Sequence, residues 1–115
     1  MMQTHELLNL LQYHIGRSLG ATVEALVKEY RERYLPNKTT ARDVRAAVQE
    51  LRSSGHHVCA HPRCGYFLAE TPEELIETEQ FLRARALASL QQVAAMRRVS
   101  LPDLIGQQRF LLETP

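Results

Sequence analysis

Five histidine and cysteine residues lie within nine positions near the middle of the chain, and thiolate and imidazole groups are zinc ligands. They are His56, His57, Cys59, His61 and Cys64. The spacing Cys-x-His-x2-Cys matches no strong zinc motif, and no second ligand pair follows it. We therefore predict no metal and no cofactor, with Cys59 at least half-buried and Cys64 near the tip of a turn. A metal- or redox-responsive regulator acting through Cys59, His61 and Cys64 is the alternative.

A second group of residues has the chemistry to contact nucleic acid. At ~100° per residue, Arg42, Arg45, Gln49 and Arg52 fall on one stripe of a helix, whereas the two acidic residues of that segment point elsewhere. Arginine binds guanine edges with two hydrogen bonds, and glutamine does the same for adenine. The stripe therefore predicts a DNA contact. The alternative is an ordinary solvated surface.

Enzymatic chemistry has little support in the sequence. There is no nucleophile elbow and no glycine-rich phosphate loop. The glutamates at 73, 74 and 77 fit the start of a helix better than a catalytic pair, because carboxylates are favoured there. We therefore predict a protein that is not an enzyme.

The elements that must position these residues are mostly helical. Apolar spacing predicts a first helix over residues 4–18 and a second that begins after Thr22 and ends at Leu35-Pro36-Asn37. A third begins at Thr40, where Thr40 and Asp43 approximate a capping box, and ends at Gly55.

A change of periodicity follows the third helix. The runs 58–60 and 66–69 are typical of short strands, and the Pro- and Gly-containing turn between them predicts a β-hairpin. Thr71-Pro72-Glu73-Glu74 then forms a full capping-box signature for a long helix that runs to about Arg98. A short helix is expected to begin at Ser100.

Three helices, a hairpin and a long helix are the element order of a winged helix-turn-helix followed by a C-terminal helix. The predicted fold class is therefore mainly α with a small β-hairpin (α+β). We expect a winged helix-turn-helix domain over residues 1–69, a long dimerisation helix over 70–99, and a short helix or tail over 100–115.

Within that fold, the third helix is expected to face DNA. Its N-terminal residues contact bases in helix-turn-helix proteins, and free amides at its start favour phosphate. We expect Arg42 and Arg45 near base edges, Arg52 at the backbone, and Arg63 on the hairpin at the minor groove or backbone. The complete predicted set is Lys38, Thr39, Thr40, Arg42, Arg45, Gln49, Arg52 and Arg63.

The long helix predicts a homodimer. At 1.5 Å per residue it would span ~40 Å, longer than the diameter of ~28 Å expected for a 69-residue domain. Its wide apolar stripe must be covered, either by a second copy or by the chain's own C-terminal residues folding back. The residues predicted to dimerise are Leu75, Leu82, Ala86, Leu90 and Val93.

Charge and composition fit this division. The net charge is +1 over 115 residues, but residues 1–69 carry nine Lys and Arg against six Asp and Glu, and residues 70–115 carry five against seven. The basic part coincides with the predicted DNA-binding domain. Neither a secretory signal nor a membrane-spanning apolar run is visible, so a cytoplasmic location is expected, where a Cys59–Cys64 disulfide is disfavoured.

One stretch resembles a known group of proteins. The run Val44-Arg45-x3-Val48-x2-Leu51-Arg52-x2-Gly55-His56, the wing ending Gly65-Tyr66-Phe67-Leu68-Ala69, and Thr71-Pro72-Glu73-Glu74-Leu75 resemble small winged-helix proteins of bacteriophages and prophages. The resemblance covers roughly residues 5–98 and is specific over 44–75.

The resemblance implies double-stranded DNA binding in phage replication or transcription regulation, without catalysis. It also places Arg42, Arg45, Gln49 and Arg52 on the recognition helix and Arg63 on the wing. The alternative is a winged-helix interaction module that has no DNA role and serves as an adaptor for a replication or host protein. The near-neutral net charge favours this alternative.

Overall fold

The computed structural model describes residues 2–34, 38–97 and 102–103. The chain is mainly helical, with one two-stranded hairpin and a long C-terminal helix. The elements in chain order are α1 (Thr4–Leu11), a short 3-10 helix (Arg17–Leu19), α2 (Val23–Arg33), α3 (Ala41–Ser53), β1 (Val58–His61), β2 (Gly65–Leu68) and α4 (Pro72–Arg97). This is the predicted order of three helices, a wing and a long helix.

The helices α2 and α3 each begin after a residue whose side chain accepts a hydrogen bond from an otherwise unpaired amide of the first turn. The Thr22 hydroxyl accepts the Ala25 N–H at 3.1 Å and starts α2. At α3, Asp43 Oδ2 accepts the Thr40 N–H at 2.9 Å while the Thr40 hydroxyl accepts the Asp43 N–H at 3.4 Å. Both predicted caps are therefore confirmed.

The core is formed by one face of each of the first three helices. Leu7 and Leu11 of α1, Leu26 of α2 and Val44 of α3 are completely buried. Tyr30 is buried beside them, and its hydroxyl donates to Glu6 Oε1 at 2.7 Å, which joins α2 to the start of α1. This packing holds α3 against both α1 and α2, so its opposite face lies in solvent.

The first helix ends earlier than its sequence pattern predicts. It ends at Leu11 instead of continuing to residue 18. Ile15 fits the helical spacing, but in the structure it forms a parallel β-bridge with Leu68. Gly16 follows with a positive φ of 87°, a conformation outside the α-helix. The prediction of a helix over residues 4–18 was therefore wrong in its second half.

Residues 14–21 lie along the hairpin as an additional edge. The Leu68 N–H donates to the His14 carbonyl at 2.9 Å, and Ala21 and Tyr66 exchange two hydrogen bonds of 2.8 and 2.7 Å. The hairpin is thus paired on a second side by a segment that carries no strand pattern in the sequence. This pairing fixes the wing to the helical core.

The first strand begins at Val58 as predicted and is one residue longer, and the second strand begins and ends one residue earlier than predicted. Val58 pairs with Leu68 and His61 pairs with Gly65, which leaves a three-residue loop of Pro62, Arg63 and Cys64. Gly65 has a φ of 81°, which closes this short loop. The hairpin itself is confirmed.

The chain divides into two compact units, Met1–Thr78 and Glu79–Pro115, and α4 begins in the first and continues in the second. The predicted stop at Leu35-Pro36-Asn37 lies outside the described residues. So does the predicted short helix from Ser100, apart from residues 102 and 103, which are helical. No helix among the described residues is long and apolar enough to cross a membrane.

Candidate nucleic-acid interface

The exposed face of α3 carries two arginines and a glutamine. Val44, Ala47, Val48 and Leu51 are buried and fix the rotation of the helix. Arg42, Arg45 and Gln49 are consequently exposed, as the sequence predicts. Among the described residues, neither Arg45 nor Gln49 forms a hydrogen bond or ion pair. Their donors are therefore available to a ligand.

Asp43 occupies the start of α3, where the sequence predicts a phosphate contact. The Thr40 N–H bonded to its carboxylate is the main cause that holds the pKa of Asp43 below its ordinary value, so the group is ionised at neutral pH. A carboxylate already bound there repels a second anion and occupies an amide that a phosphate would need. Phosphate contact at this end therefore has to come from Arg42 and from Lys38, which is exposed.

Thr39 and Thr40 differ in what they present to solvent. Thr39 is only 1% exposed, and its carbonyl accepts the Arg31 Nε–H at 2.9 Å. Thr40 is exposed, but its hydroxyl is within hydrogen-bond distance of Asp43 as part of the cap. We therefore leave Thr39 out of the proposed interface and assign Thr40 to helix capping.

Arg52 has a structural partner of its own. It is half-buried, and its Nε–H donates to the Val58 carbonyl at 2.8 Å. This contact ties the last turn of α3 to the first residue of β1. One edge of the guanidinium is committed to this bond, so Arg52 is less available to DNA than Arg42 and Arg45.

Arg63 is exposed at the tip of the wing. Its backbone N–H donates to His61 Nδ1 at 3.1 Å, which supports the three-residue loop. At the base of the same loop, the Cys64 carbonyl packs against Gly20 so closely that a Cβ there would overlap it. Arg63 is therefore exposed on a loop that packs against Gly20.

The histidines and cysteines are spread over different environments. Cys59 is fully buried, its thiol lies 3.6 Å from the Glu74 carbonyl, and burial raises the pKa of this thiol. Cys64 is half-buried, and both cysteines are free. His56 and His57 are exposed. In the part of the chain that the structure describes, no three His, Cys, Asp or Glu side chains converge as a metal site.

The first turns of α4 are anchored by a contact that sequence patterns do not reveal. Glu74 accepts the Arg17 N–H at 2.9 Å and the Glu70 N–H at 2.8 Å. The Thr71 hydroxyl does accept the Glu74 N–H at 3.3 Å. The Arg17 side chain also pairs with Glu77. Arg17 is remote in sequence, so no local signal identifies it.

This anchor predicts a measurable pH dependence. The Arg17 N–H, and then the Glu70 N–H, hold the pKa of Glu74 below its ordinary value of 4.5. A carboxyl whose pKa is lowered by folding stabilises the protein above about pH 4.5, and this contribution is lost as the pH falls through the lowered pKa. We expect Glu74→Gln to reduce the free energy of unfolding by about 1 kcal/mol at pH 7, because the charged acceptor is lost.

The difference between Glu74→Gln and wild type, measured by urea unfolding, should be full at pH 7 and should shrink as the pH falls below 4.5 and through the lowered pKa of Glu74. Glu73→Gln is the matched control, because Glu73 is exposed and has no hydrogen bond among the described residues. A pH-independent difference for Glu74→Gln, or an equal loss in the control, would contradict the assigned role.

The residues predicted to dimerise lie along α4 with unequal exposure. Leu82 is 37% exposed and Ala86 is also exposed, whereas Leu75, Leu90 and Val93 are half-buried. The competing prediction, a cover by the chain's own C-terminal residues, involves Leu101, Leu104, Ile105, Phe110 and Leu111, which lie outside the described residues.

Comparison of the chain with protein-family models, with curated proteins and with solved structures finds no match. The class of this protein therefore rests on its own elements. It is a mainly helical α+β fold in which a core of three helices carries a β-hairpin wing, followed by the long helix α4.

Proposed function

We propose that this protein binds double-stranded DNA through the exposed face of α3, without enzymatic activity and as a homodimer. The observation that carries the proposal is the sorting of α3 into a buried apolar face and an exposed face with Arg42, Arg45 and Gln49. Lys38 and Arg63 add positive charge before the helix and on the wing. The resemblance to phage and prophage winged-helix proteins supports a role in replication or transcription regulation.

The chemistry of the face suits this ligand. Arg45 and Gln49 are one turn apart, so both can reach neighbouring base pairs in a major groove wide enough for a helix. Arg42 and Lys38, nearer the helix start, suit phosphates on the groove edge. Arg63 suits the adjacent minor groove or backbone. No acidic residue lies on the stripe of Arg42, Arg45 and Gln49, so repulsion of phosphates on α3 is limited to the first turn, where the Asp43 carboxylate accepts a hydrogen bond from the Thr40 N–H.

The direct test is a titration of duplex DNA with the protein at several salt concentrations, in which fluorescence anisotropy of the labelled duplex measures binding. With about three phosphates neutralised per protomer, and therefore about six per homodimer, the logarithm of the affinity should fall with the logarithm of salt with a slope of about −5. Selection from random duplexes should return a site with two symmetric halves, because a homodimer presents two copies of α3. No affinity at low salt would refute the proposal.

A second function is favoured by a different observation. Large apolar side chains are exposed on α4, and the net charge is only +1. Both features suit an adaptor that binds a replication or host protein without contacting DNA. The DNA titration separates the two functions, because an adaptor of this kind shows no affinity at low salt yet forms a stable complex with its partner protein.

A further inference from the structure

Arg31 of α2 contacts the segment that leads into α3. Its side chain is exposed, and its Nε–H donates to the Thr39 carbonyl at 2.9 Å. Thr39 is 1% exposed and lies directly before Thr40, whose side chain caps α3. A buried carbonyl needs a hydrogen-bond partner, and Arg31 supplies one. This bond holds the Arg31 guanidinium beside the start of the helix that carries the proposed DNA-binding face.

The bond uses only part of the Arg31 side chain. A guanidinium has five N–H donors, and the Thr39 carbonyl accepts one of them, the Nε–H. Among the described residues, Arg31 forms no ion pair and no second hydrogen bond. A neutral donor such as a glutamine amide would satisfy the same carbonyl. The contact with Thr39 therefore does not explain the positive charge or the two terminal nitrogens of Arg31.

The acidic residues near Arg31 on α2 do not neutralise it. Arg31 lines an open groove together with Glu24, Val27, Lys28 and Glu32. Glu32 is the next residue and points to another side of the helix, and Glu24 lies two turns away, ~10 Å along the axis. Lys28 is one turn from Arg31 and adds a second positive charge on the same side. The guanidinium is thus available to an anionic ligand.

Arg31 differs from two other arginines of the first unit that have partners. Arg17 is paired with Glu77. Arg52 donates to a carbonyl in the same way as Arg31, but it is half-buried and its Nη2 is enclosed. Because Arg31 itself is exposed, the same kind of bond orients its guanidinium without enclosing it.

This location adjoins the cations already assigned to phosphate. Phosphate contact beside the start of α3 has to come from side chains, because the capping amide there is bonded to a carboxylate. Lys38 and Arg42 are exposed on either side of Thr39 in the sequence, and Arg31 is held at Thr39 itself. A side chain that is already held in one orientation loses less conformational entropy on binding than a free one.

We propose that Arg31 is a further DNA-contacting residue, which binds a phosphate of the duplex backbone beside the start of α3 while its bond to the Thr39 carbonyl holds it in place. The proposal rests on the DNA binding stated under the proposed function and adds α2 to the interface. A backbone contact carries no base information, so Arg31 strengthens binding to specific and random duplexes alike. Each protomer then neutralises about four phosphates, through Arg31 in addition to Lys38, Arg42 and Arg63.

Arg31→Gln separates the two roles of this side chain. The glutamine Nε2 and the arginine Nε are both bonded to Cδ, so the amide can still donate to the Thr39 carbonyl, but the charge is lost. With four phosphates per protomer the salt slope of the wild-type homodimer steepens from about −5 to about −7, and Arg31→Gln should return it to about −5. At about 0.1 M salt this variant should bind both duplexes about tenfold or more weakly. Its urea midpoint should equal that of wild type.

Two further variants at this position complete the test. Arg31→Ala loses the bond to Thr39 as well as the charge, so it should show the same slope of about −5 together with a lower urea midpoint. Arg31→Lys keeps the charge, so its slope should stay near −7. A purely structural role for Arg31 would change the urea midpoints and leave every slope at the wild-type value, which would overturn the proposal.

Arg33→Gln is the matched control, because it removes the same charge from the same helix. Arg33 lies ~200° around α2 from Arg31, and its guanidinium carbon is 5.7 Å from the centre of the Tyr13 ring. Its slope should stay near −7, and an equal loss of slope in this control would overturn the proposal by showing that only net charge matters. A wild-type protein without DNA affinity at low salt overturns both proposals. Wild-type binding combined with an unchanged slope in Arg31→Gln overturns the Arg31 contact alone.

Discussion

Replacement of Gly65 by alanine is expected to lower the free energy of unfolding by about 3 kcal/mol or more. Two independent effects contribute to this loss. Gly65 has a φ of 81°, a conformation that costs an L-amino acid about 1–2 kcal/mol. In addition, a Cβ at this position would overlap the Ala21 carbonyl and approach the Thr22 nitrogen, both of which are backbone atoms. Backbone cannot move aside as a flexible side chain does.

Two other glycines separate these effects. Gly55 has a φ of 94° but nothing within 4 Å of an added Cβ, so Gly55→Ala carries the backbone strain alone, about 1 kcal/mol. Gly20 has an ordinary φ of −58°, but its added Cβ would overlap the Cys64 carbonyl. Gly20→Ala therefore carries the overlap alone, about 2 kcal/mol.

Urea unfolding of the three variants measures the order of these losses, which should be greatest for Gly65→Ala and smallest for Gly55→Ala. Hydrogen exchange of the Tyr66 and Ala21 amides adds a local readout, because these amides pair residues 14–21 with the wing. A Gly65→Ala variant as stable as Gly55→Ala would show that the wing does not pack against Ala21 as described.

The parts of the fold that sequence patterns predicted depend on neighbouring residues. The caps at Thr22 and Thr40 involve residues three positions apart, and the hairpin is bounded by a short turn. Such signals are complete within a few residues of sequence. The glycine after α3 is likewise a local signal, and Gly55 does adopt a positive φ there.

The parts that were missed depend on contacts between distant residues. Ile15 continues the apolar spacing of α1, yet its backbone pairs with Leu68 more than fifty residues later. The same holds for Arg17 and Glu74, whose bond directs the start of α4. Residues 14–21 contain no alternating pattern because their pairing is interrupted by the short 3-10 helix. Periodicity cannot report partners of this kind.

The sequence predicts which residues of the candidate interface are exposed, because the apolar spacing of α3 predicts which face of the helix is buried. The buried set of α3 follows from its apolar spacing, and the exposure of Arg42, Arg45 and Gln49 follows from that set. The roles of Thr39 and Arg52 do not follow, because both depend on contacts outside α3: the Thr39 carbonyl accepts the Arg31 Nε–H, and the Arg52 Nε–H donates to a backbone carbonyl. For Arg52 that carbonyl belongs to Val58.

The other large effect is expected at this interface. Combined substitution of Arg42 and Arg45 by alanine should weaken duplex DNA binding about 100-fold or more, since Arg45 supplies about 1–3 kcal/mol in a base contact, Arg42 supplies positive charge at a phosphate, and a homodimer loses both in each protomer. Both side chains are exposed and neither forms a hydrogen bond among the described residues, so the fold should be retained. Anisotropy titrations at several salt concentrations measure the loss, and circular dichroism verifies the fold.

The change at Arg45 distinguishes base recognition from simple charge attraction. Arg45→Lys keeps the charge but loses the two-pronged geometry that guanine requires, so it should reduce discrimination between specific and random duplexes while the salt slope stays the same. Arg42→Ala, at a phosphate contact, should instead weaken both duplexes alike and reduce the slope by about two units, one for each protomer of the homodimer. Glu50→Gln provides the control, because Glu50 is exposed on the same helix outside the arginine stripe and its loss should not weaken binding.

If the double alanine variant binds DNA as tightly as wild type, α3 is excluded as the DNA-contacting element, because this variant removes both exposed arginines from the helix.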